Sequence, residues 1–238
     1  MANPKRLEGR IALVTGASRG IGAAIARRFA REGAHLVLTA RTVGGLEEVD
    51  DEIKQIGGSS ATLVPLDLTD GDAIDQMGGA INERFGRLDV LIANAGTLGE
   101  LTPLNHLDPD VWDQALALNA TANYRLIRSM DPLLRTSDSG RAIFVTSGAV
   151  RNLNPFWAAY AASKAALEAM VNIYASEVAH SEIRVNLVDP GRQRTAMRAK
   201  AFPGEDPESL PHPDEKTDLF VDLAALDCEQ HGETLRAY

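Results

Sequence analysis

The chain has 238 residues, 45% apolar and 24% charged, enough to bury one sizeable core without disulfide or metal staples. Its 33 Asp and Glu against 24 Lys and Arg give a formal charge of -9, which argues against nucleic acid and anionic membrane as partners, since both reward basic surface. One cysteine, Cys228, excludes an intrachain disulfide and fits a reducing, cytoplasmic setting. No apolar run reaches the roughly 18 residues of a membrane span. The start at 1–6 is basic, but the apolar stretch after Gly9 is too short for a signal peptide and runs into a glycine loop.

Short apolar runs at 11–15, 35–39, 61–65, 90–93, 142–146 and 184–188 are bounded by Gly, Asp or Pro and lack in–out alternation, which predicts strands covered on both faces. Between them, 22–32, 44–56, 72–85, 109–134 and 156–180 carry apolar residues at helical spacing. In the last, Leu167, Met170, Val171, Tyr174 and Val178 form one stripe. The alternation predicts a single α/β domain over 1–238, three-layered and Rossmann-type, with a mainly parallel sheet of six to seven strands and helices on both faces. Residues 202–214 hold four prolines and several acids; too little chain follows for another domain, so the segment is expected to be a loop.

After the first predicted strand comes Thr15-Gly16-Ala17-Ser18-Arg19-Gly20-Ile21-Gly22, opening into a helix. The spacing G-x-x-x-G-x-G is a variant of the dinucleotide-binding G-x-G-x-x-G and meets the same demands: a tight turn, no Cβ where backbone meets phosphate, and close helix–strand packing. The helix N-terminus then offers unpaired N–H groups to an anion. A free ribose 2′-hydroxyl is usually met by Asp or Glu about 20 residues further on. Here the second strand ends in Ala40-Arg41, so Arg41 and Arg19 are read as two cations around a 2′-phosphate. NADP(H) is therefore the expected cofactor, with NAD(H) as the alternative. Asp67-Leu68 after the third strand and Asn94-Ala95-Gly96 after the fourth stand at C-terminal strand ends, where ligands bind in such sheets.

Ser147 ends the fifth predicted strand, and Tyr160-Ala-Ala-Ser-Lys164 begins a long helix, with Tyr and Lys at i and i+4 on one face. An ordinary tyrosine has a pKa of about 10. A nearby ammonium, helped by a cationic nicotinamide ring, is expected to favour the phenolate. Tyr160 would then exchange a proton with a carbonyl or alcohol oxygen that Ser147 holds in place. In isolation Tyr-x-x-x-Lys is an ordinary surface pair; the preceding serine and the glycine loop change that reading.

Together these motifs resemble the short-chain dehydrogenase/reductase family over nearly the whole chain. The family's T-G-x-x-x-G-x-G falls on Thr15–Gly22 and its N-A-G on Asn94–Gly96. Its catalytic Ser, Tyr and Lys fall on Ser147, Tyr160 and Lys164. The resemblance further implies an active-site role for Asn119, supporting a water that leads from Lys164, and contact of Pro190, Gly191 and Thr195 with the nicotinamide end of the cofactor. Residues 194–198 and 201–207 resemble a bacterial subgroup of oxidoreductases without an assigned substrate. Ala93 replaces a frequent second Asn, Arg192 makes the cofactor-side loop more basic, and the ending at 235–238 lacks the common D-G-G, which leaves the edge strand and tail-mediated tetramer contacts unsupported.

The expected function is carbonyl–alcohol interconversion by hydride transfer on a small-molecule substrate, with no metal, nucleic acid or membrane involved. A 3-oxoacyl-acyl-carrier-protein reductase shares every motif, but the segment 201–238, with ten acids against two bases, suits an acidic carrier protein poorly. A non-catalytic dinucleotide-binding regulator would show erosion of Ser147, Tyr160 or Lys164, and all are present. A nucleotide-sugar epimerase would need a larger C-terminal domain. Segments 98–107, 149–157 and 192–213 are expected to line the substrate site, where Leu153, Phe156 and Trp157 point to an apolar or aromatic carbonyl compound. Residues 192–215 are expected to form a mobile substrate loop. The long helices imply, by resemblance, a homodimer or homotetramer.

Overall fold

The computed structural model describes residues 5–238; residues 1–4, part of the basic start weighed as a leader, lie outside the described residues. Seven strands form one sheet in the order β3-β2-β1-β4-β5-β6-β7: β1 Ile11–Thr15, β2 His35–Ala40, β3 Thr62–Pro65, β4 Val90–Ala93, β5 Arg141–Val145, β6 Arg184–Asp189 and β7 Thr234–Arg236. Every pairing is parallel. The order reverses between β1 and β4, and the crevice there, beyond the carboxyl ends of the strands, is where such sheets bind ligands.

Helices α1 Gly20–Arg31, α2 Val43–Gln55 and α9 Asp218–Ala224 cover one face, where Ile25, Phe29, Leu46, Ile53 and Phe220 pack against alternate residues of β1, β2 and β4. Helices α3 Gly71–Phe85, α5 Ala122–Arg135 and α7 Ala158–Glu177 cover the other, with Ile74, Met77, Leu126, Met130, Leu167 and Val171 in the core. Both faces being covered explains why β1 and β4 are buried at every position and read as continuous apolar runs. Local signals set the ends: Asp70 accepts from the Asp72 and Ala73 amides at the start of α3, and Gly86 closes it at φ 70°.

The structure differs from the sequence reading in four places. The predicted helix over 109–134 is interrupted: α4 Pro109–Leu116 passes into a π-helical turn, Ala117–Thr121, before α5. Short helices α6 Ala149–Asn152 and α8 Ala196–Ala201, like α9, are too brief to leave a periodic signal. The edge strand left in doubt by the altered ending is present, since β7 pairs with β6 from Leu187↔Thr234 to Asp189↔Arg236. Finally, the stretch at 202–214 is not featureless. Pro207 and Pro213 take the first positions of two 3₁₀ turns, Pro207–Ser209 and Pro213–Lys216, capped by Asp206 and His212.

Candidate active site

The glycine loop joins β1 to α1 under tight steric control. A Cβ on Gly22 would lie 2.3 Å from the Gly16 carbonyl oxygen and 2.7 Å from Asn94 Nδ2, so the turn admits only glycine there. Gly16 (φ 64°) would meet Ala95 Cα at 2.9 Å. A Cβ on Gly20, by contrast, would meet only Thr195, at 3.6 Å, which places the glycine loop opposite the loop after β6. Thr15 and Asn94 brace this arrangement. The fully buried Thr15 Oγ1 accepts from the Asn94 and Ala95 amides at 2.9 and 3.1 Å, and Asn94 Nδ2 donates to the Thr15 carbonyl at 2.9 Å.

Arg19 stands at the N-cap of α1 without side-chain capping, leaving the first amides of the helix free to receive an anion. Ser18 and Ile21 are half-buried in the same loop. Arg19 and Arg41 are both exposed at this end. Asp67 accepts from the Thr69 amide and hydroxyl, each at 2.9 Å, and these bonds, with the charge of Arg41, hold its carboxyl below the usual carboxylate range. Leu68 is buried and lines a cleft with Thr69, Ala117, Thr121 and Arg125.

Residues 1–50 carry eight bases against five acids, and three of those bases meet acids near the end of the chain. Arg6 pairs with Asp222 and Asp227, Arg27 with Asp214, and Arg28 with Asp218, so the acidic C-terminal segment neutralises the back of α1. Arg19 and Arg41 stay exposed and take part in none of these pairs.

Around the end of β5, the four candidate catalytic residues converge. Ser147 Oγ accepts from the Ala149 amide at 3.2 Å and stands near enough to Tyr160 to act on its phenol. Lys164, one turn along α7, is buried and donates to the Val145 carbonyl at 2.8 Å. Burial pushes its pKa down to about 8, with the charge of Glu168 acting in the opposite direction. Burial also raises the Tyr160 phenol, partly offset by the nearby Ser147 hydroxyl, while Asp189 adds to the rise. The lowered tyrosine expected from the sequence is thus corrected for the protein alone: desolvation outweighs the neighbouring Ser147 hydroxyl, and the Lys164 ammonium directs its proton at Val145.

Asn119 sits in the π-helical turn, fully buried. Its Oδ1 accepts from the Thr97 amide at 2.8 Å, and its Nδ2 donates to the Thr97 carbonyl at 2.8 Å and to Ser163 Oγ at 2.9 Å. Turns of this kind insert one extra residue into a helix and recur at functional sites. A Cβ on Gly96 would lie 3.1 Å from Asn119 Oδ1 and 3.5 Å from Lys164 Nζ, so the Asn94–Gly96 segment closes onto the same cluster. Thr97 and Ser163 are the participants that the sequence reading missed; Ser163 adjoins Lys164 in the helix motif, and its spacing is the only signal it left.

The loop after β6 completes the crevice. Gly191 (φ 71°) lies under the ring of Tyr238, 2.7 Å from where a Cβ would stand, and its amide donates to Asp189 Oδ1 at 3.1 Å. Gln193 is buried, donating Nε2 to the Pro190 carbonyl at 2.8 Å, while its Oε1 has no partner among the described residues. Thr195 caps α8 through the Arg198 amide. Beyond it, Trp157 packs at 6.0 Å from the Tyr160 ring and 5.8 Å from Phe202. Leu153 and Phe156, both at positive φ, are 71% and 55% exposed, so neither belongs to the core. Lys200 donates to the Gly99 carbonyl at 2.8 Å across the mouth.

An α/β sheet of this order, with a glycine loop at its switch point and a Ser-Tyr-Lys cluster beyond β5, defines a dinucleotide-dependent oxidoreductase architecture. Residues 10–206 match the family model for short chain dehydrogenase, and the chain belongs to that family. It is 39% identical over 223 residues to an uncharacterized oxidoreductase, YciK of Escherichia coli K12, covering 93% of this chain and 88% of that one. Among solved structures, a short chain dehydrogenase from Salmonella enterica serovar Typhi superposes with a TM-score of 0.96 at 36% identity, covering 100% of this chain and 99% of that one. A chain from Escherichia coli CFT073, solved in complex with NADPH, gives a TM-score of 0.95 at 38% identity and covers 99% of each. Among the described residues no helix is long and apolar enough to cross a membrane.

Proposed function

We propose that this protein is an NADP(H)-dependent oxidoreductase that interconverts a small carbonyl compound and its secondary alcohol, with Tyr160 as the acid/base. The carrying observation is that Ser147 and Tyr160 come together with the buried Lys164 and Asn119, whose Nζ and Oδ1 lie 3.5 and 3.1 Å from the same point beside Gly96. The residues present fit the cofactor: glycines where a side chain would collide, unpartnered amides at the start of α1, and two exposed arginines where a 2′-phosphate would lie. The NADPH complex of the related Escherichia coli chain supports the same choice.

When bound, the nicotinamide ring supplies a hydride to the carbonyl carbon or accepts one from the alcohol carbon. Ser147 holds the substrate oxygen by its hydroxyl, which the Ala149 amide orients. Tyr160 gives its phenolic proton to that oxygen in reduction and takes one in oxidation. The ammonium of Lys164 favours the phenolate left behind, and it also holds the cofactor ribose. Asn119 fixes Thr97 and Ser163 around the lysine and supports the water through which Tyr160 regains its proton. Thr15, Gly16, Ser18, Arg19, Gly20, Ile21, Gly22, Arg41, Asp67, Leu68, Asn94, Ala95, Gly96, Pro190, Gly191 and Thr195 form the cofactor groove. The exposed Leu153 and Phe156, with Trp157 and Phe202 behind them, favour an apolar or aromatic substrate.

A panel of ketones, diketones, quinones and oxoacyl thioesters, followed by NADPH absorbance loss, tests the reading. Tyr160→Phe keeps the ring but removes the proton, so turnover on any active compound should fall by about 10²–10⁴-fold with cofactor affinity little changed. Near-normal turnover in this variant would sink the mechanism.

A further inference from the structure

Asp189, at the end of β6, is buried, and its carboxylate lies directly beneath the backbone that follows Ser147: a Cβ on Gly148 would be 3.4 Å from Asp189 Oδ2 and 3.6 Å from Arg151 Nη2. Arg151, on the short α6, forms an ion pair with Asp189 Oδ2, while Oδ1 accepts from the Gly191 amide at 3.1 Å. The Tyr238 hydroxyl adds a donor to Oδ2 at 3.4 Å, and the Ala237 amide donates to the Asp189 carbonyl at 3.0 Å. One carboxylate thus ties together the loop carrying Ser147, the loop after β6 and the last residues of the chain.

We propose that Arg151 and Asp189 are positioning residues whose paired charges set the protonation range of Tyr160. This inference rests on the reading of Tyr160 as the acid/base. A carboxylate so close to Ser147 opposes formation of the phenolate; the salt bridge to Arg151 offsets part of that field while keeping the hydrogen bonds that hold the loops.

Other charges around Tyr160 leave this role open to the pair. On its own helix, Lys164 is buried and directed at Val145, with Glu168 beyond it bonded to Thr146 Oγ1 at 2.6 Å. From α8, Arg198 is engaged by Glu205 and stacked over Phe202 at 3.6 Å. From α4, Val111 and Ala115 approach Ala159, while Asp110 and Asp113 are exposed. Asp189 is the buried carboxylate that raises the Tyr160 phenol.

The test is an NMR titration of protein carrying labelled tyrosine ring carbons, with the Tyr160 signal identified by its loss in Tyr160→Phe. Arg151→Gln should move the Tyr160 midpoint up by roughly one pH unit, and Asp189→Asn should move it down by a similar amount. The double variant should return close to the wild-type value, and Arg151→Lys should keep it. Thermal melts identify variants that fail to fold; if Arg151→Gln is among them, Asp189→Asn and the double variant still decide. A midpoint that stays fixed, or that moves the same way in both single variants, overturns the pair's role. Because the readout needs no turnover, it separates this outcome from failure of the acid/base reading, which Tyr160→Phe kinetics decide.

Discussion

Lys164 Nζ donates to the carbonyl oxygen of Val145 at 2.8 Å, so the cation of α7 is fastened to the last residue of β5. Burial there lowers its pKa from the ordinary lysine value to about 8. In the unfolded chain the same lysine titrates near 10.4. Between these values the unfolded state binds more protons, so stability rises with pH.

The first prediction follows from that sign. Below about pH 8 the charged lysine is buried at full cost, and the cost is relieved as pH rises from about 8 towards 10. Lys164→Met removes the titration. The difference in unfolding free energy, wild type minus variant, should increase by about 2 kcal/mol from pH 8 to pH 10 in urea titrations. A difference that is flat over this range would mean that Lys164 is not depressed.

Cofactor choice supplies the second. Arg41 is exposed, and its charge already reaches Asp67 across the adenosine end of the crevice. A charge-assisted hydrogen bond contributes roughly 1.5–3 kcal/mol, so Arg41 and Arg19 together should favour NADPH over NADH by about a hundredfold or more. Arg41→Ala should lower the NADPH specificity constant by about 10–100-fold and leave that for NADH nearly unchanged. Equal constants for both cofactors in the wild type would refute the assignment.

Asn119 carries a double burden, and its variant should show both. Three hydrogen bonds to Thr97 and Ser163 are lost in Asn119→Ala, leaving buried groups unpaired at about 1–3 kcal/mol. The melting temperature should therefore fall, unlike the intact fold a purely catalytic residue would leave. Turnover measured well below the melt should also drop. A variant with unaltered turnover would reduce Asn119 to a structural residue.

The fourth concerns the segment from 192 to 215. Apart from the buried Gln193, Leu210 and Pro213, it is held by ion pairs, Arg198–Glu205 at 2.5 Å and Arg194–Glu208 at 2.7 Å, and by Lys200 on Gly99. Such contacts are weak and screened by salt. Hydrogen exchange there should be fast in the free protein, faster still at high salt, and slowed when NADPH and substrate bind. Strong protection without ligand would count against a lid.

How much the sequence disclosed depended on whether a residue's role was local. The strands were legible because burial on both faces writes unbroken apolar runs, Gly16 and Gly22 because a close approach tolerates nothing else, and Gly20 because its φ of 58° favours glycine. Tyr160 and Lys164 announced themselves by helical spacing. What was hidden is tertiary. The π-helical turn at Asn119 has no compositional mark, and β7 is three residues long with only its central Leu235 half-buried. The Arg151–Asp189 pair joins positions 38 apart in the chain, and neither neighbourhood advertises the other. Nor does anything local show that Arg6, Arg27 and Arg28 meet acids near the end of the chain.

Those last pairings bear on how the chain is made. Arg6, Arg27 and Arg28 find Asp222, Asp214 and Asp218 at separations of 216, 187 and 190 residues. During synthesis the β1–α1–β2 unit offers these guanidinium groups only Glu32, beside Arg28; Glu52 then meets Arg27, and the remaining counter-charges arrive with the final stretch. Contacts of such sequence separation slow folding and form after local ones. The first 50 residues, with eight bases against five acids, thus leave the ribosome as a basic segment open to polyanions such as ribosomal RNA, and residues 51–100, with three bases against nine acids, reverse that balance well before the last helix docks.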